Sequence, residues 1–107
     1  MDWVNTIKEC FDTGSVLYTG HARHEMKYEP FGEIREKEVY EAVSTSEVVE
    51  EYSHDKPYPS VLLFGMTQEN RPLHIVCAYS TEEGKVIIVT VYHPDPKLWD
   101  NYRRRKK

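Results

Sequence analysis

The sequence has no long hydrophobic run and only two cysteines. No apolar stretch approaches the roughly 20 residues that a membrane-spanning helix needs. The first residues also lack the basic and then apolar order of a signal peptide, so we expect a cytoplasmic protein without a membrane partner. Two cysteines among 107 residues do not make the disulfide framework of a small secreted domain. We therefore expect Cys10 and Cys77 to be reduced residues of a single core.

Basic residues are scarce outside the last five positions. Removing those five from the 14 basic residues leaves 9 against 18 acidic ones, a net charge of −9 for residues 1–102. Such an acidic body argues against broad, nonspecific nucleic-acid binding. We expect one domain over residues 1–102 and a basic C-terminal tail over residues 103–107. Within this tail, Arg103, Arg104 and Arg105 are the candidate contacts for RNA.

The spacing of apolar residues predicts three helices and then four strands. Asp2 and Thr19 are suited to cap the first two helices, and Gly14 to end the first. A short strand at 15–18 precedes the second helix, and a short C-terminal helix is expected from Pro96. This order predicts the α+β class: a four-stranded antiparallel meander, or a slightly larger sheet, with the N-terminal helices packed on one face. The first predicted helix has Trp3, Ile7, Cys10 and Phe11 at helical spacing and stops at Gly14. The other two helices cover 20–29 and 36–43, and the strands of the meander cover 47–52, 60–66, 73–79 and 86–93.

The most apolar stretch, residues 73–93, predicts a β-hairpin. Gly84 suits the left-handed position of a three-residue loop, which would pair Thr81 with Lys85. Counting outward from this loop gives one apolar face for the helices. The residues of that face are Leu73, Ile75, Cys77, Tyr79, Ile87, Val89 and Val91.

The opposite face of the hairpin has a polar end. The same register places His74 opposite Tyr92, with Thr90 two positions away on the same face. A histidine within an apolar strand can be a core residue whose hydrogen bonds are all satisfied. With two hydroxyl groups beside it, it can also be an acid or base.

A second polar group lies on the helix predicted over 20–29. His21, His24, Glu25 and Tyr28 follow helical spacing and share one face. A histidine and a carboxylate four residues apart can share a proton, although an ordinary exposed helix face has the same pattern. If this helix crosses the polar end of the hairpin, His21, His74 and Tyr92 would line one cleft. Two histidines and a hydroxyl donor are the groups that metal-independent phosphodiester cleavage requires.

A metal site is a weaker interpretation of the five histidines. The spacing of His21 and His24 differs from the helical zinc pattern, in which two histidines lie four residues apart, and no cysteine pair assists. We therefore expect no metal ligands and no cofactor.

Several motifs occur in an order and spacing typical of a known family. They are His21-Ala22 with Met26, Val39, Val48 to Tyr52, Pro57-Tyr58-Pro59, Arg71 to Val76 and Val89 to Asp95. Together they resemble a bacterial family called domain of unknown function 4258, over about residues 15 to 99. The resemblance implies a RelE-like fold, the scaffold of many toxin ribonucleases, including the BrnT type, and points to His21, His74, Thr90 and Tyr92 as site residues. Where the family pattern often has arginine on the helix of His21, this chain has Glu25 and Glu29, which would repel a phosphodiester.

Two functions remain open at this point. The first is a toxin-like, metal-independent endoribonuclease, in which His21 would be the base, His74 the acid and Tyr92 the donor to the transition-state oxyanion. The second is a non-enzymatic module with a degenerate toxin fold. It would bind RNA or an antitoxin-like protein through exposed aromatic residues.

Overall fold

A computed structural model describes residues 1–107 and contains three helices and seven strands. None of the helices is long and apolar enough to cross a lipid bilayer. The predicted α+β class is confirmed. The helices are α1 (Trp3–Asp12), α2 (Gly20–Lys27) and α3 (Glu36–Ser44). The strands are β1 (Val16–Tyr18), β2 (Glu47–Tyr52), β3 (Ser60–Met66), β4 (Pro72–Ser80), β5 (Lys85–Tyr92), β6 (Trp99–Asp100) and β7 (Arg104–Arg105).

The predicted signals at the helix ends are present. The Asp2 side chain accepts a hydrogen bond from the backbone N–H of Asn5 at the start of α1. Thr19 caps α2 by accepting from the N–H of Ala22 at 3.0 Å. Gly14 follows α1 with a φ of +72°, a conformation that costs glycine little. These local signals therefore set where the helices begin and end.

The main sheet has five strands in the order β1-β5-β4-β3-β2. Strands β2 to β5 form the predicted antiparallel meander. The expectation of a purely antiparallel sheet was wrong, because β1 pairs with β5 in the parallel direction. The chain leaves β1 through α2 and α3 and re-enters the sheet at the opposite edge as β2. Strand β1 can therefore occupy the edge beside β5 and run in the same direction.

One core joins the helices to one face of this sheet. The buried members from the helices are Ile7, Cys10, Ala22, Met26, Val39, Ala42 and Val43. Those from β3, β4 and β5 are Val61, Leu63, Leu73, Ile75, Cys77, Val86, Ile88 and Val91. Strand β3 passes so close to α3 that a Cβ atom at Gly65 would overlap the carbonyl group of Ala42. The helices therefore cover one face, and residues such as His74 point to the other, which we call the outer face.

The hairpin of β4 and β5 has the predicted register at one end only. His74 pairs with Tyr92, and Val76 with Thr90, as expected. A β-bulge then shifts the pairing, so that Cys77 lies opposite Ile88 and Ser80 opposite Lys85. The predicted pairing of Thr81 with Lys85 was therefore wrong, although Gly84 does have a positive φ of +64°.

The bulge changes which β5 side chains enter the core. Val86, Ile88 and Val91 are buried, whereas Ile87 and Val89 are half-buried. The predicted apolar face was wrong at Ile87 and Val89 because one extra residue reverses the alternation of a strand. Every residue from Val86 to Val89 is apolar, so hydrophobicity alone did not distinguish the two registers.

The predicted C-terminal helix is absent. Residues 96–98 form a turn, and β6 and β7 then form a small antiparallel hairpin. Residues 101–103 connect these strands, and Asn101 and Tyr102 have φ values of +51° and +62°. Positive φ at two successive residues is typical of a type I′ turn and incompatible with a right-handed helix. Residues 94–107, which we call the C-terminal segment, lie against the outer face of the sheet.

Candidate functional site

The polar end of the outer face is centred on His74 and Tyr92. Their strands pair directly, and the hydroxyl oxygen of Tyr92 lies 3.0 Å from Nδ1 of His74. The other imidazole nitrogen, Nε2, lies 2.6 Å from the carbonyl oxygen of Tyr102. A carbonyl oxygen only accepts, so Nε2 carries the hydrogen and Nδ1 accepts from Tyr92. The ring is therefore a neutral imidazole with both nitrogens bonded inside the protein.

Aromatic rings enclose this imidazole. The edge of the His74 ring meets Trp99 at a centroid distance of 4.5 Å, and Phe64 lies 6.1 Å away on the neighbouring strand. His74 has 0% of its surface exposed. Burial lowers the pKa of His74, and it raises the pKa of Tyr92. Both shifts favour the neutral forms, so the pair keeps its protons as assigned at neutral pH.

The cover over His74 is the C-terminal segment, and arginines hold it in place. Arg103 forms an ion pair with Glu47 and stacks 4.8 Å from the centre of the Phe64 ring. Arg105 lies 4.8 Å from the centre of the Trp99 ring. It also bonds both carboxylate oxygens of Glu50, at 3.0 and 3.2 Å.

The three predicted RNA contacts thus have different surroundings. Arg103 and Arg105 face acidic side chains of β2, while Arg104 is exposed in β7. The Arg105 guanidinium also holds the pKa of the Glu50 carboxyl below its usual range. Within the predicted tail, these two ion pairs join residues 103–107 to the sheet.

Thr90 belongs to the same face but not to the hydrogen-bonded group. It pairs with Val76, two residues along each strand from the His74–Tyr92 pair. Its hydroxyl forms no hydrogen bond with either His74 or Tyr92. Thr90 is half-buried beside the pair rather than part of it.

His21 lies elsewhere, on the exposed side of α2. Its side chain is 66% exposed, and Nε2 lies 3.4 Å from a carboxylate oxygen of Glu25. No hydrogen bond or ring contact joins His21 to His74, and neither residue lines any of the five main surface cavities. The structure therefore brings His74 and Tyr92 together and leaves His21 apart from them.

Glu25 and Glu29 have a structural role that the sequence did not suggest. Glu25 lies on α2, whereas Glu29 lies two residues beyond the end of that helix, which is shorter than predicted. Beyond β1, the outer edge of β5 has no strand beside it. Glu25 accepts a hydrogen bond from the backbone N–H of Val91 at 3.3 Å, and Glu29 accepts from that of His93 at 2.7 Å. The two carboxylates thus satisfy alternate donors of one strand edge. The i, i+4 spacing was visible in the sequence, but the free strand edge was not.

A group of aromatic rings at the end of α2 was also not recognised as a unit. Tyr28 and Phe31 are more than half exposed. The Phe31 ring stacks on His93 with centroids 4.5 Å apart, and the Tyr28 ring lies 4.7 Å from that of His24. We call these four residues the aromatic patch. Large exposed aromatic rings beside one another are typical of binding surfaces.

Arg71 fixes the loop that carries Phe31. Its guanidinium donates to the backbone carbonyl oxygens of Gly32 and Glu33 and to the carboxylate of Glu38. Its Nε also lies 3.4 Å from Nδ1 of His93. Burial is the main cause that lowers the pKa of His93, and the neighbouring Arg71 charge lowers it further. Arg71 therefore holds the loop of Phe31 in place, and His93, on which the Phe31 ring stacks, is kept neutral.

No group of three or more histidine, cysteine, aspartate or glutamate side chains is arranged to hold a metal ion.

The family of the chain is given by its similarity to known proteins. No curated protein and no solved structure matches the chain. The family model described as Domain of unknown function (DUF4258) matches residues 18–93, which run from the end of β1 to the residue after β5. This stretch includes His21, His74, Thr90 and Tyr92, while α1 and the C-terminal segment lie outside it. The chain belongs to the family described as domain of unknown function DUF4258.

Proposed function

We propose that this protein is a non-enzymatic, protein-binding module built on a RelE-like scaffold. The observation that carries the proposal is the state of His74, which has no exposed surface and both nitrogens bonded within the chain. A general acid or base must reach the proton that it transfers. With His21 outside this group, the polar set at His74 joins the C-terminal segment to the sheet and serves stability.

The succession of elements supports the RelE-like part of the proposal. After β1, two helices cross one face, and an antiparallel meander of four strands follows. This order of elements is compatible with the RelE-like scaffold that the family resemblance implied and supports that part of the proposal. A shared scaffold does not transfer an activity, because function depends on the groups at a site.

The aromatic patch is the surface that we assign to the partner. Tyr28 and Phe31 offer large apolar area with few rotatable bonds, which suits an anchor at a protein interface. Glu25, Glu29 and Glu33 are close to these rings in the sequence, and residues 1–102 have a net charge of −9. The cations in contact with the patch are Lys27, over the Tyr28 ring, and Arg71, beside His93. The net negative charge opposes RNA and favours a basic protein segment, such as that of an antitoxin-like partner.

The endoribonuclease is kept as a second candidate because of one observation. The cover over His74 is a terminal segment fastened by exposed ion pairs, which are weak contacts. If it opened, His74 could protonate the leaving 5′ oxygen, and Tyr92 could donate to the phosphoryl oxygen. His21 would have to take the proton from the attacking 2′ hydroxyl.

A paired binding and cleavage experiment separates the two candidates. We expect a stable complex between the purified protein and the product of the neighbouring gene, detected by size-exclusion chromatography. The double variant Tyr28→Ala/Phe31→Ala should weaken it about tenfold or more, as expected for hot-spot residues. The matched control Tyr40→Ala removes an exposed ring from α3 and should leave the complex unchanged.

The same preparation is incubated with RNA in the presence of a chelator. We expect no cleavage by the wild-type protein. Cleavage that is lost in both His21→Ala and His74→Ala would overturn the binding module in favour of the ribonuclease. The absence of both a complex and cleavage would contradict both candidates.

A further inference from the structure

The two edges of the main sheet differ in how they are protected. Strand β2 contains three glutamates and has a bulge between Val48 and Glu50, and arginines of the C-terminal segment pair with it. Charges and bulges of this kind prevent a sheet edge from pairing with another chain. Strand β1, with the sequence Val16-Leu17-Tyr18, has no charge and pairs regularly with β5. Only the β1 edge is therefore open to a further strand.

We propose that two copies of this chain associate through antiparallel pairing of their β1 strands. The backbone orientation allows it. Thr19 donates its N–H to the carbonyl of Ile88, and the carbonyl of Ser15 accepts from Val86, so these alternate positions face β5. The backbone groups of Val16 and Tyr18 consequently point away from β5.

A two-fold axis at Leu17 uses all of these outward groups. It sets Val16 opposite Tyr18 of the partner subunit, and Tyr18 opposite Val16 of the partner subunit. Each such pair exchanges two backbone hydrogen bonds. The two Leu17 side chains then face each other, in agreement with the self-complementary surface that a symmetric dimer requires.

The side chains on both faces of β1 fit this arrangement. On the outer face, Leu17 is 41% exposed, so its side chain is free to contact Leu17 of the partner subunit. On the helix face, a cavity of about 420 Å³ lies beside β1, and half of its lining residues are hydrophobic, among them Phe11, Tyr18 and Tyr40. Residues that lie opposite each other in paired strands share one face, so Val16 and Tyr18 of the partner subunit would enter this cavity.

The charges beside the strand largely compensate each other. Arg23 and Glu36, which also line the cavity, form an ion pair at 3.0 Å and leave Lys37 as the remaining charged residue of the lining. The interface is limited to a three-residue strand and its flanking side chains, so it is smaller than that of an obligate dimer. We therefore expect a reversible dimer with a micromolar Kd.

Sedimentation of the full chain over a wide range of concentration tests the dimer. The wild-type protein should sediment as a reversible dimer. Leu17→Lys and Leu17→Glu each place like charges opposite each other at the two-fold axis and should raise the Kd about tenfold or more. The control Val48→Lys adds the same charge to a similarly exposed residue, 39% exposed, on the β2 edge and should leave the Kd unchanged.

Mixing the two Leu17 variants provides a test that misfolding cannot imitate. The Lys and Glu side chains would then face each other, so the mixture should form a heterodimer although each variant alone is monomeric. A wild-type protein that stays monomeric, or a dimer unaffected by either Leu17 variant, would overturn the proposal. A mixture that remains monomeric would overturn the position of the axis. The aromatic patch plays no part in this interface, so the outcome is independent of the proposed partner binding.

Discussion

Tyr92 donates its hydroxyl hydrogen to Nδ1 of His74 across 3.0 Å, while Nε2 of the same imidazole donates to the carbonyl of Tyr102. One ring thus connects β4, β5 and the C-terminal segment. Because the imidazole is excluded from water, these two hydrogen bonds have no substitute if it is removed.

Replacing His74 should destabilise the fold. His74→Phe keeps an aromatic ring but leaves the Tyr92 hydroxyl and the Tyr102 carbonyl without their partner. We expect the free energy of unfolding to fall by about 2–3 kcal/mol in urea titrations followed by circular dichroism. His54→Phe, in an exposed loop, is the control and should change it by less than about 0.5 kcal/mol. Equal effects of the two changes would contradict the structural role of His74.

Tyr92→Phe tests one of the two bonds separately. The ring remains, but Nδ1 of His74 loses its donor in a buried place. The expected loss in the free energy of unfolding is about 1 kcal/mol. Tyr28→Phe removes an equivalent hydroxyl from an exposed ring and should have no measurable effect. A stability of Tyr92→Phe equal to that of the wild type would mean that this bond contributes nothing.

Acid should weaken the wild-type protein more than the His74→Phe variant. Burial lowers the pKa of folded His74 below its ordinary value of 6.5. As pH falls through 6.5, the unfolded chain binds a proton that the folded protein does not, so the free energy of unfolding decreases. The slope due to one such histidine is at most about 1.4 kcal/mol per pH unit. Above this range both states are neutral and His74 causes no pH dependence.

The measurement is the free energy of unfolding of both proteins at a series of pH values. His93 also has a lowered pKa, so part of the acid sensitivity should persist in His74→Phe. Parallel curves for the two proteins would show that His74 does not titrate differently on unfolding.

Arg105→Gln should loosen the C-terminal segment without unfolding the domain. The change removes the pair with Glu50 and the contact with Trp99. The pair is solvent-exposed, so we expect a loss below about 1 kcal/mol in overall stability. Amide hydrogen exchange at Lys106, whose N–H donates to the carbonyl of Leu98 at 2.9 Å, should become several-fold faster.

Lys107→Gln removes a charge at the end of the same segment and is the matched control. Its exchange rates should equal those of the wild type. High salt should accelerate exchange at Lys106 more in the wild-type protein than in Arg105→Gln, because only the Arg103–Glu47 pair remains to be screened in the variant. An unchanged rate in Arg105→Gln would show that the ion pair does not hold the cover.

Gly65→Ala should be strongly destabilising. The added Cβ would overlap the carbonyl group of Ala42, which is backbone and cannot rotate away. A forced shift of α3 from β3 should cost about 3 kcal/mol or more in thermal or urea unfolding. Gly20→Ala adds the same methyl group in open space at the start of α2 and should be neutral. A Gly65→Ala variant as stable as the wild type would mean that β3 and α3 are less tightly packed than in the structure.

Features that depend on near neighbours in the chain could be predicted. The caps at Asp2 and Thr19 and the positive φ of Gly84 follow from residues within one element or one turn. The bulge in β5 could not, because its apolar residues fit either face and only packing against the helices chooses between them. The C-terminal helix was mispredicted because its apolar residues have helical spacing, whereas their packing on the outer face favours a hairpin.

The candidate site, like the fold, could be predicted from the sequence only in part. The sequence was sufficient to group His74, Thr90 and Tyr92 and to name the family. The predicted register was one residue off beside the turn and was correct only beyond the bulge, because the extra residue in β5 offsets that error. It could not place His21 relative to that group, because the path of α2 over the sheet depends on the whole core. Nor could it show that the carbonyl of Tyr102, 28 residues from His74, accepts from the buried ring. A hydrogen bond between distant parts of the chain exists only once both have folded onto the same sheet. Here that bond fastens the C-terminal segment over the ring, and the resulting burial lowers the pKa of His74.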